Sequence, residues 1–499
     1  MIQNFTLRFN LFAAFCLLSF TTTLRAQIGS EIVVSPTRTI DVREFAKSLQ
    51  WEPATGSPSR SPLRLGEPAP DNIRWIDRIN NMPYYFVKLY NTYTSSVEDA
   101  MKGKTNFLVD HTSGTMQNTD YWDYYFVPLN VWRKRVEYTF PDDVDYSDPN
   151  AEREFAVLAV EEEIGKLMDE IDTFFPYAMM CMDYDNPQAF WLGNAWTWCG
   201  LYSYSWNFLR EKGHDYVDLQ YKTYFVVKGT VDDKPFDCRI EPFRTASAVK
   251  AGITEFKGLV DSVLVDLPNS TRYVQLRYLN DWLTKHNSYA SNYDPQTSPA
   301  LVWSPISALR GTTGDSAPVC EGYARALKVL LDKINIPCVL VVGDAKGSRS
   351  ADPESHMWNE VKMNDGQWYA VDVTWNDPLT GAYYEPAISG AENEDWLLLG
   401  KNDIVNKWDN LTFADSHANA LTYGQDKASK WDYDITSLIA DYKFDVSTYG
   451  VRQIARSAST VKVYSITGVD LGTFESVDQA LSSLQSGLYI INGRKTVVK

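Results

Sequence analysis

The sequence has few histidines, few cysteines and no long apolar run. It contains five histidines and six cysteines among 499 residues. The apolar block from Leu11 to Phe20 follows Arg8, precedes the small residue Ala26 and is too short to span a bilayer. This pattern predicts an export signal over residues 1–26. No other segment is apolar enough for a membrane helix, so we expect no membrane span in the mature chain.

Positive charge is also scarce. Lysine and arginine total 47 against 64 acidic residues, which gives a formal net charge of -17. Phosphate backbones and anionic lipids repel such a chain, and no basic stripe offsets the repulsion, so we expect no nucleic-acid partner. The acidic run 141–150 lacks the ligand spacing and central glycine of a calcium loop, and we interpret it as a solvated turn.

Aromatic residues, by contrast, are abundant. They make up 14% of a chain that is 44% hydrophobic, a composition that indicates a folded protein. We expect the aromatic side chains to fill hydrophobic cores rather than to line a glycan-binding face. The chain is too long for a single core, so several domains are expected. It contains no internal repeat of consequence.

Changes in composition divide the chain into five segments. We predict a signal at 1–26, a Pro/Ser-rich arm or linker at 27–72, an N-terminal α/β extension at 73–245, a central unit at 246–425 and a small C-terminal β-sandwich at 426–499. In the central unit, a helix beginning at Cys320 is followed by a run of antiparallel strands. The predicted fold class is therefore α+β.

Apolar periodicity and turn residues place the main elements. A helix is predicted over 151–175, with Pro149 in its first turn and Pro176 ending it. Ser270 or Thr271 caps a second helix. Strands are predicted at 221–229, 338–342, 356–363 and 367–374.

The cysteine count leaves one thiol over. Cys16 leaves with the signal, so five cysteines remain, and an odd number means that at least one stays unpaired. Apart from Cys320 these are Cys181, Cys199, Cys238 and Cys338, which allow three disulfide connectivities. Cys338 lies in an apolar run and fits a buried unpaired residue better.

Cys320 is the cysteine with a chemical context. Unpaired N–H groups at a helix start stabilise a thiolate and can bind a developing oxyanion. The alternative is a small buried residue with a packing role. Two other residues that occur later in the chain, His356 and Asp372, favour the chemical interpretation.

His356 and Asp372 are predicted to share one face of a β-hairpin. A three-residue loop, Asn364 to Gly366, with Gly366 in the left-handed conformation sets Asp372 diagonally beside His356. A two-residue turn would place them on opposite faces. Asp372 lies between two valines, where an unpartnered carboxylate is costly, and an imidazole would supply its partner. A surface strand with an exposed aspartate is the alternative. A nucleophile, a base and an orienting acid form a catalytic triad.

The stretches "VCEGYARALKVLLDKINIPCVLVVGDA" and "SHMWNEVKMNDGQWYAVDVTWNDP" closely resemble the bacterial transglutaminase-like superfamily, which has a papain-like core. The resemblance makes Cys320 the nucleophile, His356 the general base and acid, and Asp372 the residue that orients His356. Upstream, "LRYLNDWLTKHNSYA" and "CMDYDNPQAFWLGNAW" resemble further segments of these proteins, so the match covers about residues 175 to 425. Met357 departs from the family, which usually has alanine there, and the charged stretch before His356 is unusually long.

The segments "VKVYSITGVDL" and "LQSGLYIINGRKTVVK" resemble the C-terminal sorting domain of the type IX secretion system in Bacteroidota. This resemblance implies that the chain passes through the periplasm to the cell surface or medium, with the secretion machinery as a partner. An ordinary β-sandwich accessory domain is the alternative for the tail.

The resemblance implies an exported enzyme that acts on amide bonds of peptides or proteins through a thioester, with hydrolysis favoured over crosslinking. The alternatives are a protein-crosslinking acyltransferase, a catalytically silent binding module for protein or glycan, and a glycoside hydrolase.

No cofactor is predicted. A metal bound by His356, Asp352 and Glu354 is disfavoured because the three cluster on one loop without a second histidine. The other histidines, among them His417, show no usable pattern.

Overall fold

The structure is a computed structural model of the chain. It describes residues 29–34, 38–42, 74–79, 82–104, 122–125, 132–138, 149–207, 215–231, 234–290, 294, 298–311, 317–377, 394–419, 439–446, 461–465, 469–474, 477–485, 487–491 and 494–498. The predicted signal at 1–26 and most of the predicted arm and acidic turn lie outside these residues.

The chain divides into two compact units. The first comprises 1–33, 131–167 and 201–221, and the second comprises 34–130, 168–200 and 222–499. The predicted boundaries at 245/246 and 425/426 stay predictions. None of the described helices is long and apolar enough to cross a membrane.

Nine α-helices lie in the described residues. They are α1 (Tyr84–Met101), α2 (Pro149–Asp185), α3 (Ala246–Leu264), α4 (Arg272–His286), α5 (Pro305–Arg310), α6 (Cys320–Lys333), α7 (Val373–Asn376), α8 (Phe413–Ser416) and α9 (Val477–Ser483). Two 3₁₀ helices cover Trp75–Arg78 and Ala300–Trp303.

The described strands number eighteen. They are β1 (Gly29–Val34), β2 (Arg38–Asp41), β3 (Trp122–Tyr125), β4 (Trp132–Tyr138), β5 (Ala195–Asn207), β6 (Asp215–Val231), β7 (Lys234–Asp237), β8 (Cys338–Ala345), β9 (Glu354–Lys362), β10 (Trp368–Val371), β11 (Leu397–Leu399), β12 (Ile404–Asn406), β13 (Leu411–Thr412), β14 (His417–Asn419), β15 (Val461–Ser465), β16 (Asp470–Phe474), β17 (Gly487–Ile491) and β18 (Arg494–Val498).

In the first unit, β4 pairs antiparallel with the first half of β6. The pairing runs from Trp132 opposite Tyr221 to Tyr138 opposite Asp215. The predicted strand at 221–229 is thus confirmed, although it belongs to a longer element that begins at Asp215.

Helix α2 corrects one prediction, because it passes through Pro176 instead of ending there. A proline inside a helix removes one backbone hydrogen bond and costs about 3 kcal/mol. The turn after Pro176 is fully buried, from Ala178 to Met182. Burial of these side chains offsets the lost hydrogen bond, so the helix continues to Asp185.

A five-stranded antiparallel sheet forms the centre of the second unit. Its strand order is β11-β10-β9-β8-β14, and α6 packs against β8 and β9. Residues 321–331 of α6 are all buried, so this helix runs through the core rather than over the surface. The predicted α+β fold class is confirmed.

The helices around this sheet have clear local causes. Thr271 caps α4, since its side chain accepts a hydrogen bond from the Val274 N–H, which confirms one of the two predicted caps. Sequence inspection missed α3, whose cap is Thr245. Helix α6 ends where Asn335 takes a left-handed φ of 57° and the Ile336 N–H bonds the Leu331 carbonyl, a common helix terminator.

The C-terminal segment has a small core of its own. Strands β16-β15-β17-β18 form one antiparallel sheet, and Val461, Val463, Ala480 and Ile491 are fully buried together. Ala480 belongs to α9, so within the described part of this segment a helix covers the sheet, whereas the predicted sandwich would need a second sheet.

Candidate active site

Cys320 is the first residue of α6, as predicted. Val319 is the N-cap residue and gives no side-chain hydrogen bond to the helix. The first backbone N–H groups of a helix have no partner within the helix, so they lie beside the thiol. The Cys320 side chain is partly exposed, whereas Cys238 and Cys338 are buried free thiols. The Cys320 thiol is therefore accessible to solvent and lies close to backbone N–H donors.

The hairpin between β9 and β10 has the predicted register. Lys362 pairs with Trp368 and Asn359 pairs with Val371, while the Met363 N–H bonds the Gln367 carbonyl at 2.9 Å. The loop therefore has three residues, and Gly366 takes a left-handed φ of 82°. This confirms the predicted loop.

Asp372 is not inside the second strand, which corrects the prediction for 367–374. Strand β10 ends at Val371, and Asp372 caps the short helix α7. Its Oδ1 accepts a hydrogen bond of 3.1 Å from the Trp375 N–H. Aspartate is a preferred N-cap because its carboxylate accepts an unpaired helix N–H, so the chain leaves the sheet here.

His356 and Asp372 lie in contact despite the end of the strand. His356 Nε2 is 2.7 Å from Asp372 Oδ2, and the two side chains are 8% and 1% exposed. An ionised carboxylate only accepts hydrogen bonds, so Nε2 carries the hydrogen. The Cys320 side chain also helps to raise the pKa of the His356 ring. Because Asp372 occupies Nε2, Nδ1 is the ring nitrogen left for another partner.

The electrostatics favour a charged imidazole. Burial by itself would lower the pKa of His356, but the Asp372 charge and the hydrogen bonds to Asp372 and Cys320 raise it to about 10. Burial would raise the pKa of Asp372, but His356 and His417 hold it well below its ordinary value. The pair is therefore an imidazolium and a carboxylate at neutral pH.

His417 is the site residue that sequence inspection missed. Its Nε2 lies 2.9 Å from Asp372 Oδ2, the oxygen that His356 also contacts. It begins β14, 45 residues after Asp372 in the chain. No local spacing connects the two residues, and only the pairing of β14 with β8 brings His417 to the site.

Three buried donors at this point could hold a metal ion. The ligand atoms of His356, Asp372 and His417 lie within 4.8 Å of one another. Both imidazole Nε2 atoms already bond the carboxylate, so a metal would have to replace two hydrogens. Among the described residues, His356 forms such a group with Asp372 and His417 and not with Asp352 and Glu354.

Aromatic side chains enclose the two histidines. Trp375 lies 5.5 Å from the His356 ring and meets Trp396 edge-on at 4.5 Å. Trp358 stacks near His356 at 6.1 Å. Both Trp375 and Trp396 are partly exposed. Met357 is buried, and because strand side chains alternate it lies on the face of β9 opposite His356.

A buried ionic cluster supports the helix that carries Cys320. The Arg325 guanidinium bonds Glu321 at 2.8 Å and forms a double contact with Asp183. Asn194 also donates to Glu321, at 3.3 Å. The segment "CMDYDNPQAFWLGNAW" (181–196) therefore contacts α6 directly, which its sequence did not indicate.

Comparison with known proteins identifies part of this region. The family model described as "Transglutaminase-like superfamily" matches residues 263–373, a segment that contains Cys320, His356 and Asp372. No curated protein matches the sequence.

Solved structures give weaker similarities. A "TGase" is 11% identical, with a TM-score of 0.20, and the match covers 60% of each chain. A "Putative Cysteine Protease from Cytophaga hutchinsonii" is 16% identical, with a TM-score of 0.19, covering 39% of this chain and 68% of the other. Likenesses at these TM-scores do not bear on function.

Proposed function

Because residues 263–373 match a transglutaminase-like domain, we propose that this chain is a cysteine enzyme acting on amide bonds of peptides or proteins. Cys320 is the nucleophile, His356 the general base and acid, and Asp372 the orienting carboxylate. The main support is the contact of the His356 ring with Asp372, at 2.7 Å, together with the place of Cys320 as the first residue of α6.

The proposed reaction uses Cys320 as the nucleophile and His356 as the acid and base. The Cys320 thiolate attacks the amide carbon, and the carbonyl electrons move to oxygen, which gives an oxyanion beside the first N–H groups of α6. The His356 imidazolium then protonates the leaving amine as the C–N bond breaks, and a thioester remains.

The second half of the reaction regenerates the free Cys320 side chain. His356, now neutral, takes a proton from water as the water attacks the thioester carbon. The carboxylic acid leaves, and the released sulfur and the imidazolium restore the starting pair. Hydrolysis is the proposed outcome because water is the most abundant acceptor; an amine in its place would give a crosslink.

Labelling with iodoacetamide at pH 7 tests the nucleophile. We expect one fast-reacting thiol that disappears in Cys320→Ala and slows in His356→Ala. Cys338→Ala is the matched control, because burial raises the pKa of that thiol to about 12 and it should contribute no fast labelling. Equal labelling rates in wild type and Cys320→Ala would refute the proposal and leave a binding module.

Product analysis separates the two possible acceptors. Incubation with a fluorescent casein should release labelled fragments in wild type but not in Cys320→Ala. Incorporation of a fluorescent primary amine without fragment release would instead establish an acyltransferase. Activity that survives thiol alkylation would point to a glycoside hydrolase or another chemistry.

We also propose that the enzyme is exported and that its C-terminal segment directs sorting by the type IX machinery. The support is the sequence of residues 1–26 and of the two C-terminal stretches, together with the separate small core of that segment. Mass spectrometry of the secreted form should find the N-terminus near residue 27 and the tail removed. An intact C-terminus at Lys499 would refute the sorting role.

A further inference from the structure

One oxygen of Asp372 accepts hydrogen bonds from two imidazole rings. Oδ2 lies 2.7 Å from His356 Nε2 and 2.9 Å from His417 Nε2. One ring is sufficient to make an aspartate orient a catalytic base. The second ring therefore needs its own explanation.

The path of His417 to the site depends on small residues in β8. His356 pairs with Gly343 and His417 pairs with Ala345, so all four residues face the same side of the sheet. Two strand spacings amount to about 10 Å, yet the two imidazole centroids are only 5.5 Å apart. Glycine has no side chain and alanine has only a methyl group, so Gly343 and Ala345 allow the His417 ring to extend across β8 toward His356.

The His417 ring is held firmly in this position. Phe413 stacks on it at 4.6 Å, while Trp358 and Trp375 meet it edge-on at 5.0 and 4.6 Å. Ser416 Oγ lies 3.1 Å from its Nδ1. The side chain is fully buried, so the ring cannot turn to solvent.

The charge state of His417 differs from that of His356. Burial lowers the pKa of His417, and the positive charge of His356 lowers it further, against the opposing effect of Asp372. The other ring neighbours, Phe413 and the tryptophans, are uncharged. His417 is thus neutral at pH 7, and its hydrogen is on Nε2 because that nitrogen faces a carboxylate oxygen.

We propose that His417 is a positioning residue for the triad, whose Nε2–H holds Asp372 Oδ2 toward His356. This inference rests on the proposed function. With the Trp375 N–H on Oδ1, three donors fix the carboxylate plane. A neutral donor achieves this without adding a second positive charge, so Asp372 remains the counterion of the His356 imidazolium.

Nitrogen-15 NMR of histidine-labelled protein tests the proton arrangement without any substrate. We expect His417 to remain the neutral Nε2–H tautomer from pH 7 to pH 9, while His356 stays protonated at both nitrogens. An Nδ1–H tautomer or an imidazolium at His417 near neutrality would overturn the proposal. So would purification of the protein with one equivalent of zinc that His417→Phe abolishes, since a metal would then occupy the donors.

Substitution tests the effect on reactivity. His417→Phe keeps an aromatic ring but removes both nitrogens. It should slow iodoacetamide labelling of Cys320 at pH 7 about tenfold, the lower end of the range seen when a residue that orients a site residue by a hydrogen bond is lost. His417→Gln places an amide N–H near the Nε2 position and should restore the rate to within about twofold. His286→Phe, the same replacement at an exposed histidine outside the triad, is the control and should resemble wild type.

The outcomes are distinguishable from failure of the enzyme proposal. If Cys320 in wild type labels no faster than glutathione, the proposed function fails, whereas the tautomer measurement still reports on the contact between His417 and Asp372. If His417→Phe and His417→Gln label equally, at wild-type rate or slowly, the hydrogen bond has no positioning effect and the inference is wrong.

Discussion

At the scale of single residues, Asp372 connects the parts of the site. It caps α7, accepts from His356 and accepts from His417, although it is only 1% exposed. A buried carboxylate is stable only when donors compensate its lost hydration. The three donors around it explain why an acid is tolerated between two buried valines.

Replacement of Asp372 by asparagine should separate orientation from charge. An amide oxygen can still accept hydrogen bonds, but it lacks the negative charge that stabilises the His356 imidazolium. We therefore expect the amidase rate to fall by about 10⁴-fold, as in other triads. The measurement is kcat/KM against a peptide substrate at pH 7. Asp352→Asn, which alters an exposed acid four positions before His356 in the chain, should retain wild-type activity. A loss below about tenfold would show that Asp372 has no orienting role.

At the scale of secondary-structure elements, helix α6 determines the position of Cys320. Buried charged side chains on α6 in turn fix the position of the helix. Arg325 is 6% exposed and contacts Glu321 and Asp183, two acids that are also buried. Breaking such a cluster from one side leaves uncompensated charge in the core. The cluster therefore determines how firmly the thiol is positioned.

Arg325→Ala should destabilise the protein strongly. We expect the free energy of unfolding to fall by about 3–5 kcal/mol in urea denaturation. Arg310 offers a matched comparison, because it forms the same kind of pair with Glu255 at the surface, and Arg310→Ala should cost at most about 1 kcal/mol. Similar losses for the two variants would contradict a structural role of the buried cluster.

The β9–β10 hairpin gives a second prediction at this scale. Gly366 has a φ of 82° and a Cβ built there meets no atom within 4 Å, so backbone strain is the sole cost of a side chain. Gly366→Ala should lower the unfolding free energy by about 1–2 kcal/mol, and Gly366→Asn by less, because asparagine tolerates this conformation. Thermal or urea denaturation measures both. An alanine variant as stable as wild type would argue against the three-residue loop.

At the scale of the whole molecule, the site makes global stability depend on pH. The pKa of His356 is raised from 6.5 to about 10 in the folded protein, so the native state keeps a proton that the unfolded chain loses. Its stabilising contribution is complete below about pH 6.5 and is lost as the pH rises toward 10.

Comparison with His356→Gln should reveal this dependence. Between pH 7 and pH 9, we expect the unfolding free energy of wild type to decrease by up to about 1.4 kcal/mol per pH unit relative to the variant. Urea denaturation at several pH values provides the measurement. A difference that is constant over this range would mean that His356 is neutral in the folded protein.

Local sequence rules determined a large part of this protein. The start of α6 at Cys320, the Thr271 cap, the three-residue loop with Gly366 and the placement of His356 beside Asp372 depend on residues that are close in the chain. Helix signals, turn residues and the two-residue period of strands act over such short distances, so the α+β class and the contact between His356 and Asp372 were predictable.

Other features were decided by tertiary packing. Helix α2 continues through Pro176 because the turn beyond it is buried. Arg325 finds Asp183 from 142 residues away, and His417 reaches Asp372 across β8. Contacts between distant segments arise only when the sheet and helices pack together, and no periodicity in the sequence encodes them.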